Sequence, residues 1–330
     1  MSTGEYINVT SFEAPGGFTA LAFTETGILL AGGEDGNLRV YDLSPTAQRT
    51  LCKAIKGLPD EVSGICGQPS KLPPVALGKV WVASGKRISL NQEAQEVVTL
   101  VEDDGDEDNV LNQIAVSKDM IAFSCDSGVV GVYEIQTKKR RVMKAMHSSI
   151  CGTVGFVPIR PREIVSGGYD SQLLHFDAST GSILSRLDIY SNGAMAAGTA
   201  DGRVIIGRGG EKGRGDRPNR RKWNGLNGDM VSQYHIAAGP VIGVAWVGPS
   251  ELLSVTLRGR VKHFRLPESR PKIRPTIGDV EVQTLWETQT KKVDKVDCLA
   301  TFETSQNGFY IAIGGLTPTG RGCKAEAQAK

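Results

Sequence analysis

Aspartates recur in the same kind of short turn along this chain, and their neighbours include residue types that can do acid–base chemistry. Asp35, Asp126 and Asp170 each stand among small residues between two apolar runs. His147 and Ser166 precede Asp170. An imidazole can act as a general base when a carboxylate orients it. His147 could therefore be a base with Asp170 as its orienting acid.

The repetition of the turns favours a structural role instead. Asp35 and Asp126 are 91 residues apart, and Asp126 and Asp170 are 44 residues apart. An enzyme does not need one site in every repeat, whereas an aspartate in such a turn accepts hydrogen bonds from backbone N–H groups. We expect no catalytic residue. The turn aspartates that we assign to a structural turn network are Asp35, Asp126, Asp170 and Asp201.

The turns belong to a longer repeated unit, an apolar strand, a turn and a second strand ending in an aromatic. Examples are GILLAGGEDGNLRVYDL (27–43), DMIAFSCDSGVVGVYEI (119–135) and REIVSGGYDSQLLHFDA (162–178). The period of about 45 residues is typical of a propeller or a solenoid. The strands are rich in Val, Ile and Phe, and no window indicates a capped amphipathic helix. At this period, 330 residues predict an all-β, seven-bladed β-propeller.

We expect one β-propeller domain over residues 1–330, with residues 5–12 closing the last blade as its outer strand. A polar insertion at 207–228 and a linker at 267–280 interrupt the repeats. The C-terminal segment TPTGRGCKAEAQAK is too polar to be predicted as a strand. The expected blades are 18–58, 60–100, 108–146, 147–188, 193–236, 239–290 and 293–330.

The fourth unit resembles the WD-repeat family. His147 lies before its first strand, Ser166 on its second strand and Asp170 in its turn. Phe176-Asp177 stands where that family places Trp-Asp. The resemblance implies a buried tether in which the His, Ser, Asp and aromatic side chains join the turn to the strands.

Two segments carry a closer resemblance, NVLNQIAV (109–116) and HSSICGTVGFVPIRPREIVSGGYD (147–170). They are similar to the family of WD repeat-containing protein 53. The resemblance implies a non-catalytic protein-interaction scaffold that serves as an adaptor or substrate receptor of a cullin-RING ubiquitin ligase. Receptors of this kind dock the ligase adaptor through Trp-Asp-x-Arg, whereas the corresponding ends here read YDLS (41–44), EIQ (134–136) and FDAS (176–179).

Charge is unevenly distributed, although the net charge is only +2. The acidic run EDDGDED (102–108) enters the third blade, so it shares a rim with the turns between second and third strands. Basic segments at 138–141, 207–222 and 270–274, with Arg160 and Arg162, belong to the opposite rim. Each face could therefore attract a different partner. The expected protein-binding rim consists of Glu34, Asp60, Glu61, Asp103, Asp104, Asp106, Glu107, Asp108, Tyr169 and Arg258.

Each of these features has a second interpretation. The acidic run either docks a basic peptide, such as a histone-like tail, or is an extended solvated loop. It lacks the twelve-residue EF-hand pattern, so we expect no metal. Tyr169 either anchors a partner or packs on the neighbouring blade. The insertion 207–222 is a solvated loop, a nuclear import signal or a weak RNA contact, and the last leaves an RNA-associated or chromatin-associated propeller as the alternative function.

Cysteine usage and hydropathy indicate the compartment. Six cysteines occur without a CxxC pair, no signal peptide begins the chain, and no stretch approaches 18 apolar residues. We expect a cytoplasmic or nuclear protein with no membrane contact, a monomer within a larger complex. The glycine-rich GRGGEKG lacks the GxGxxG spacing and no phosphate-binding GxxxxGK[ST] occurs, so we expect no cofactor.

Overall fold

Every regular element in the computed structural model is a β-strand, and the residues it describes contain no helix. The all-β prediction is therefore confirmed for this part of the chain. The described residues are 7–43, 51–68, 79–91, 96–101, 109–157, 160–170, 172–185, 194–198, 203–208, 231–248, 250–266, 282–290, 293–303, 309–316 and 323–329.

Twenty-seven strands follow one another in these ranges. The first thirteen are β1 (Ile7–Ala14), β2 (Phe18–Phe23), β3 (Leu29–Gly33), β4 (Leu38–Tyr41), β5 (Leu51–Ile55), β6 (Val62–Gln68), β7 (Lys79–Ser84), β8 (Arg87–Asn91), β9 (Glu96–Thr99), β10 (Leu111–Val116), β11 (Met120–Cys125), β12 (Val130–Glu134) and β13 (Lys139–Val142). The others are β14 (Cys151–Val157), β15 (Arg160–Gly168), β16 (Leu173–Asp177), β17 (Ser182–Ser185), β18 (Ala194–Gly198), β19 (Arg203–Arg208), β20 (Val231–His235), β21 (Val241–Gly248), β22 (Glu251–Thr256), β23 (Arg260–Arg265), β24 (Gln283–Gln289), β25 (Lys295–Glu303), β26 (Phe309–Leu316) and β27 (Cys323–Ala329).

The described strands form seven sheets, six with four strands and one with three. Five of the four-stranded sheets are meanders of consecutive strands, β2–β5, β6–β9, β10–β13, β14–β17 and β21–β24. The three-stranded sheet is β18–β20. In the remaining sheet the order is β1-β27-β26-β25, so the first strand of the chain is paired with the last. Successive four-stranded antiparallel meanders are the blades of a β-propeller.

The chain divides into two compact units. One unit takes Met1–Lys56, Ala194–Gly207 and Gly228–Lys330, and contains the sheets that begin with β2, β18, β21 and β25. The other takes Gly57–Gly193 and Arg208–Asn227, and contains the sheets that begin with β6, β10 and β14. Within each unit neighbouring sheets pack face to face and bury apolar side chains between them. This all-β propeller arrangement is consistent with a WD-repeat type of fold.

Alternation of side chains along the strands builds these cores. In the β10–β13 sheet, Ile121 and Phe123 face the preceding sheet, where they pack with Trp81. Ala122 and Val132 face the following sheet and pack with Phe176 and its neighbours. Trp81 and Phe176 are completely buried. A shift of one residue in the strand pairing would turn both sets of apolar side chains to the wrong faces of the sheet. The apolar pattern therefore determines the register.

Six of the first strands carry the same irregularity. In five of them the pairing with the second strand skips one residue directly after the first paired residue, at Phe18/Ala20, Val62/Gly64, Leu111/Gln113, Cys151/Thr153 and Val241/Gly243. In β25 the same skip comes one pair later, at Val296/Cys298. A β-bulge redirects the extra side chain and increases the local twist. In each of these sheets the bulge therefore changes the direction of the side chain of the skipped residue. This residue lies at the end of the sheet where the chain enters.

The C-terminal segment, whose place in the last blade the sequence leaves open, forms a strand. Residues Cys323–Ala329 are strand β27, which pairs with β26 on one side and with β1 on the other. Ala325, Ala327 and Ala329 alternate with polar residues there. The segment is too polar to predict a strand by its composition, but this alternation has the period of two that a strand requires. Small residues suffice because the neighbouring strands supply both sets of backbone hydrogen bonds.

Candidate functional site

The turns between second and third strands are bonded to the segment that enters the first strand of the same sheet. In each case a turn N–H donates to a carbonyl just before or at the start of the first strand. This recurring bond brings two loops of each sheet to one end, where side chains of both loops can act together. The four bonds are Glu34 N to Gly17 O (2.9 Å), Asp126 N to Val110 O (3.1 Å), Tyr169 N to Ile150 O (2.8 Å) and Leu257 N to Pro240 O (2.9 Å).

In the β14–β17 sheet a three-residue side-chain network reinforces this bond. His147 Nδ1 lies 3.0 Å from Asp170 Oδ1, and His147 Nε2 lies 2.8 Å from Ser166 Oγ. With the proton on Nδ1, the imidazole donates to the carboxylate and accepts from the hydroxyl. The other carboxylate oxygen, Oδ2, accepts from the backbone N–H of Ser148 at 3.0 Å. The network joins the entering loop, the turn and the second strand.

This geometry has the distances of a Ser–His–Asp triad but not its accessibility. His147 and Ser166 are each 1% exposed, so the hydroxyl cannot reach a substrate. Burial alone would raise the pKa of Asp170, but hydrogen bonds from Ser148, His147 and Gln172 outweigh it and lower that pKa. Asp170 is therefore an ionised acceptor near neutral pH. The arrangement can hold a turn in place, and it offers no exposed nucleophile.

The turn of the β2–β5 sheet holds its aspartate by another means. Asp35 forms an ion pair with Arg39, whose Nη1 lies 3.0 Å from Asp35 Oδ1, and it also accepts from Asn37 Nδ2 at 2.8 Å. The hydrogen bond from Arg39 is the largest cause that lowers the pKa of Asp35. Glu34 is exposed, but its carboxylate accepts from the N–H of Gly17 at 2.9 Å. Its side chain therefore lies over the entering loop.

In the β10–β13 sheet amide side chains replace the histidine. Asn112, the bulged residue of β10, donates to Asp126 Oδ1 at 2.9 Å and to Cys151 O at 3.2 Å. Asn109 accepts from the N–H of Ser127 at 3.1 Å. Sequence reasoning missed both asparagines. The only signal was that two amide side chains flank the start of an apolar strand.

The remaining predicted rim residues lie in simpler turns. In the β6–β9 sheet, Ser84 Oγ donates to Asp60 O at 2.6 Å, and Asp60 and Glu61 are exposed. In the β21–β24 sheet, Arg258 is exposed and its carbonyl accepts from Gln289 Nε2. The assignment of these residues to one binding rim stays a prediction.

Apolar side chains are exposed in the loops around the Asp170 turn. Tyr169 is 75% exposed, Met146 55% and Ile150 36%. The Tyr169 ring lies beside the bulged Gly152, where an added Cβ would be 3.1 Å from Tyr169 Cε1. Gly128, with φ of +81°, packs so closely that an added Cβ would be 2.3 Å from His147 O. The loops are therefore fixed by backbone contacts, while three apolar side chains face solvent.

The opposite ends of two sheets contain a repeated carboxylate–imidazole pair. Glu163 Oε2 lies 2.8 Å from His175 Nε2, and Glu251 Oε2 lies 3.0 Å from His263 Nε2. An arginine also forms an ion pair with each of the two glutamates, and the distance from Arg160 Nη1 to Glu163 Oε2 is 2.9 Å. His175 and His263 are strand residues, on β16 and β23. The Glu lies twelve residues before the His in both sheets, a spacing that sequence reasoning did not use.

Two arginines of the basic segment 138–141 contact backbone carbonyls. Arg140 Nη1 donates to Leu100 O, and Arg141 Nη1 donates to Ala178 O at 2.9 Å. Each guanidinium therefore links the β10–β13 sheet to a residue that directly follows a strand of a neighbouring sheet. Leu100 follows β9, and Ala178 follows β16. Because these two guanidinium groups donate to carbonyls, fewer cationic groups of the segment are available to bind the phosphates of a nucleic acid.

Several predicted residues lie outside the described residues. They are the acidic run 102–108 with Asp103, Asp104, Asp106, Glu107 and Asp108, the turn residue Asp201, and the segments 209–230 and 267–281. Within the ranges that are described, no group of three or more His, Cys, Asp or Glu side chains is arranged to hold a metal ion. No helix in these ranges is long and apolar enough to span a bilayer.

No protein-family model matches the chain. The class of protein therefore follows from the fold, an all-β propeller arrangement. Propellers of this type commonly bind other proteins through their loops and sheet ends.

Proposed function

We propose that the chain is a non-catalytic protein-interaction scaffold, built as a seven-bladed β-propeller of WD-repeat type. The seven sheets and the pairing of β1 with β27 support this blade count. The fully buried Ser166 and His147 support the absence of catalysis at that network, because their polar atoms are engaged with each other. Scaffold function needs a rigid frame that displays side chains for recognition.

One observation carries the proposal. Tyr169, Ile150 and Met146 are exposed on loops whose backbone is hydrogen-bonded to the frame. Exposed aromatic and aliphatic side chains on a preorganised backbone are typical of binding hot spots, since little conformational entropy is lost on docking.

Affinity purification of the full chain from its own cells, with mass spectrometry, tests the scaffold proposal. We expect a reproducible set of proteins that co-elute in stoichiometric amounts and that a thermally unfolded sample does not retain. A chain that elutes alone at physiological salt, and that instead turns over a small molecule, would contradict it.

Within this proposal, the adaptor or receptor role in a cullin-RING ubiquitin ligase is supported by the family resemblance alone. The third strand of the β14–β17 sheet ends in Phe176-Asp177, and Asp177 accepts from Ser179 N at 2.8 Å to close the following turn. Without an arginine two residues after Asp177, docking of the ligase adaptor has to use other contacts. Co-elution of the adaptor and a cullin with the chain is the expected result, and their absence would remove this role while leaving the scaffold proposal intact.

The acidic run 102–108 remains part of the proposal as a second docking element for a basic peptide. Neutralising its six carboxylates to amides should weaken the binding of a basic histone-like peptide and leave the melting temperature unchanged. Unchanged peptide binding would count against it.

A further inference from the structure

Two turn aspartates in the same compact unit are held by amide, imidazole and backbone N–H donors. Asp126 accepts from the amide of Asn112, and Asp170 accepts from His147 and backbone N–H groups. Among the described residues, neither forms an ion pair with Lys or Arg, whereas Asp35 is paired with Arg39. Within the described residues, the carboxylates of Asp126 and Asp170 therefore have no permanently charged counter-ion, since the imidazole of His147 is a cation only when it is protonated.

An exposed aromatic ring adjoins one of these charges. Tyr169 directly precedes Asp170, and its N–H is held by Ile150 O at 2.8 Å. Its ring lies beside Gly152, where an added Cβ would be 3.1 Å from Tyr169 Cε1, so only a side chain larger than that of alanine would displace the ring. A ring face attracts a cation by its quadrupole, and a guanidinium also stacks on it. Tyr169 and Asp170 together offer both attractions to one side chain.

Two exposed aliphatic side chains lie in the entering loop, Ile150 bonded to Tyr169 through its backbone and Met146 earlier in the loop. Ile150 is bonded to Tyr169 through its carbonyl, and Met146 precedes His147 in the same loop. Met and Ile are apolar and face solvent here. A bound segment would bury them and gain hydrophobic stabilisation in proportion to the area covered.

We infer that Tyr169, Ile150 and Met146 form the docking surface for a protein segment that presents an arginine or lysine beside an aliphatic side chain. The inference rests on the proposed scaffold function, and it specifies the side chains that a partner of the scaffold presents. The cation stacks on Tyr169 near the charge of Asp170, and the aliphatic side chain covers Ile150 and Met146. A second copy of this chain is less suited, because its own Asp170 turn would bring a like charge to the surface.

The test is a selection of random peptides, displayed on phage, on the immobilised full chain, with depletion on Tyr169→Ala. We expect enriched peptides to carry Arg or Lys next to Leu, Ile, Val or Met. Synthetic copies should bind Tyr169→Ala about 30-fold more weakly, the loss typical of a hot-spot aromatic. Tyr169→Phe should stay within about threefold of the original, because the ring face is retained.

Two further variants separate the surface from the fold. Gly152→Val should weaken binding, because its branched side chain needs the space that the Tyr169 ring occupies beside Gly152, where a single added Cβ would already be 3.1 Å from Tyr169 Cε1. Leu184→Ala is the matched control, since Leu184 is 47% exposed but lies on the edge strand β17. It should bind the peptides as the original chain does. Binding should also weaken modestly as salt is raised, because the attraction between the cation of the peptide and the mostly buried Asp170 carboxylate is partly screened.

Four results would overturn the inference. They are enrichment of peptides without Arg or Lys, equal binding by Tyr169→Ala, no enrichment over a blank support, and a concentration-dependent dimer that Tyr169→Ala abolishes, which would assign the surface to a second copy. If Tyr169→Ala still captures every protein that the original chain captures from cells, this inference fails and the scaffold proposal survives.

Discussion

The turns of the β2–β5 and β14–β17 sheets have the same place in the repeat but hold their aspartates in opposite ways. Asp35 is neutralised by Arg39, only four residues away along the chain. Asp170 is held by His147, which lies 23 residues earlier in the entering loop. The first tether is local and carries its own counter-charge. The second joins separate segments and leaves a charge beside an exposed tyrosine.

The two tethers also differ in burial. Asp170 has a side chain that is 7% exposed, and that of Asp35 is 20% exposed. A buried carboxylate depends more on its partners, because water cannot replace them. We therefore expect the β14–β17 turn to fail more severely than the β2–β5 turn when its partner is removed.

The largest effect should come from His147→Ala. This change leaves the buried Asp170 carboxylate and the Ser166 hydroxyl without their shared partner, so we expect a loss of about 3 kcal/mol in the free energy of unfolding. The midpoint of urea denaturation, followed by circular dichroism, measures it. Ser166→Ala should cost less, because only one hydrogen bond is lost. A loss below that of Ser166→Ala would contradict the network.

A smaller loss, about 1–2 kcal/mol, should follow Arg39→Met. The substitution keeps the aliphatic stem and removes the guanidinium, while Asp35 keeps the amide of Asn37 and some contact with water. The same denaturation experiment applies. If Arg39→Met destabilised the chain as much as His147→Ala, burial would not explain the difference between the turns.

Acid should weaken both turns, over a range that the pKa shifts determine. The pKa values of Asp35 and Asp170 are lowered from the ordinary 3.8, so the unfolded chain binds protons at a higher pH than the folded chain does. Their stabilisation is therefore fully present above about pH 5 and decreases as the pH falls below 4. Melting temperatures from pH 7 to pH 3 measure it.

Asn variants provide the control for the acid experiment. Asp35→Asn and Asp170→Asn should each reduce the slope of melting temperature against pH below 4. Unchanged slopes in both would mean that other carboxylates, such as Glu251 with its lowered pKa, account for the acid sensitivity.

The smallest effect should be on the rate of alkylation of the Cys151 thiol, in the β14–β17 sheet. Cys151 is fully buried, its Sγ lies 3.5 Å from Thr153 O, and burial raises its pKa to about 11. Alkylation at pH 8 should therefore be slow in the native chain. His147→Ala should accelerate the labelling of Cys151, and Arg39→Met should not. Peptide mapping by mass spectrometry identifies the labelled cysteine. If both variants accelerated the labelling of Cys151 equally, the turns of the β2–β5 and β14–β17 sheets would not be independent of each other.

Sequence reasoning recognised the repeat, because alternating apolar strands and turn aspartates are local patterns. It assigned His147, Ser166 and Asp170 to one network from the resemblance. It missed Asn112, Arg39 and the Glu–His pairs, since nothing in a single unit says which polar residue will face the aspartate. It also missed β27, whose pairing depends on β1 at the other end of the chain.

The order of strands and turns follows from the sequence alone, because side-chain alternation and turn chemistry act between near neighbours. That order was enough to predict an all-β repeat protein and a structural role for its turn aspartates. Which of these aspartates is neutralised, and that Tyr169 is exposed, was decided by tertiary structure. Charge compensation and burial depend on distances between residues that lie far apart in the chain, and only folding sets those distances.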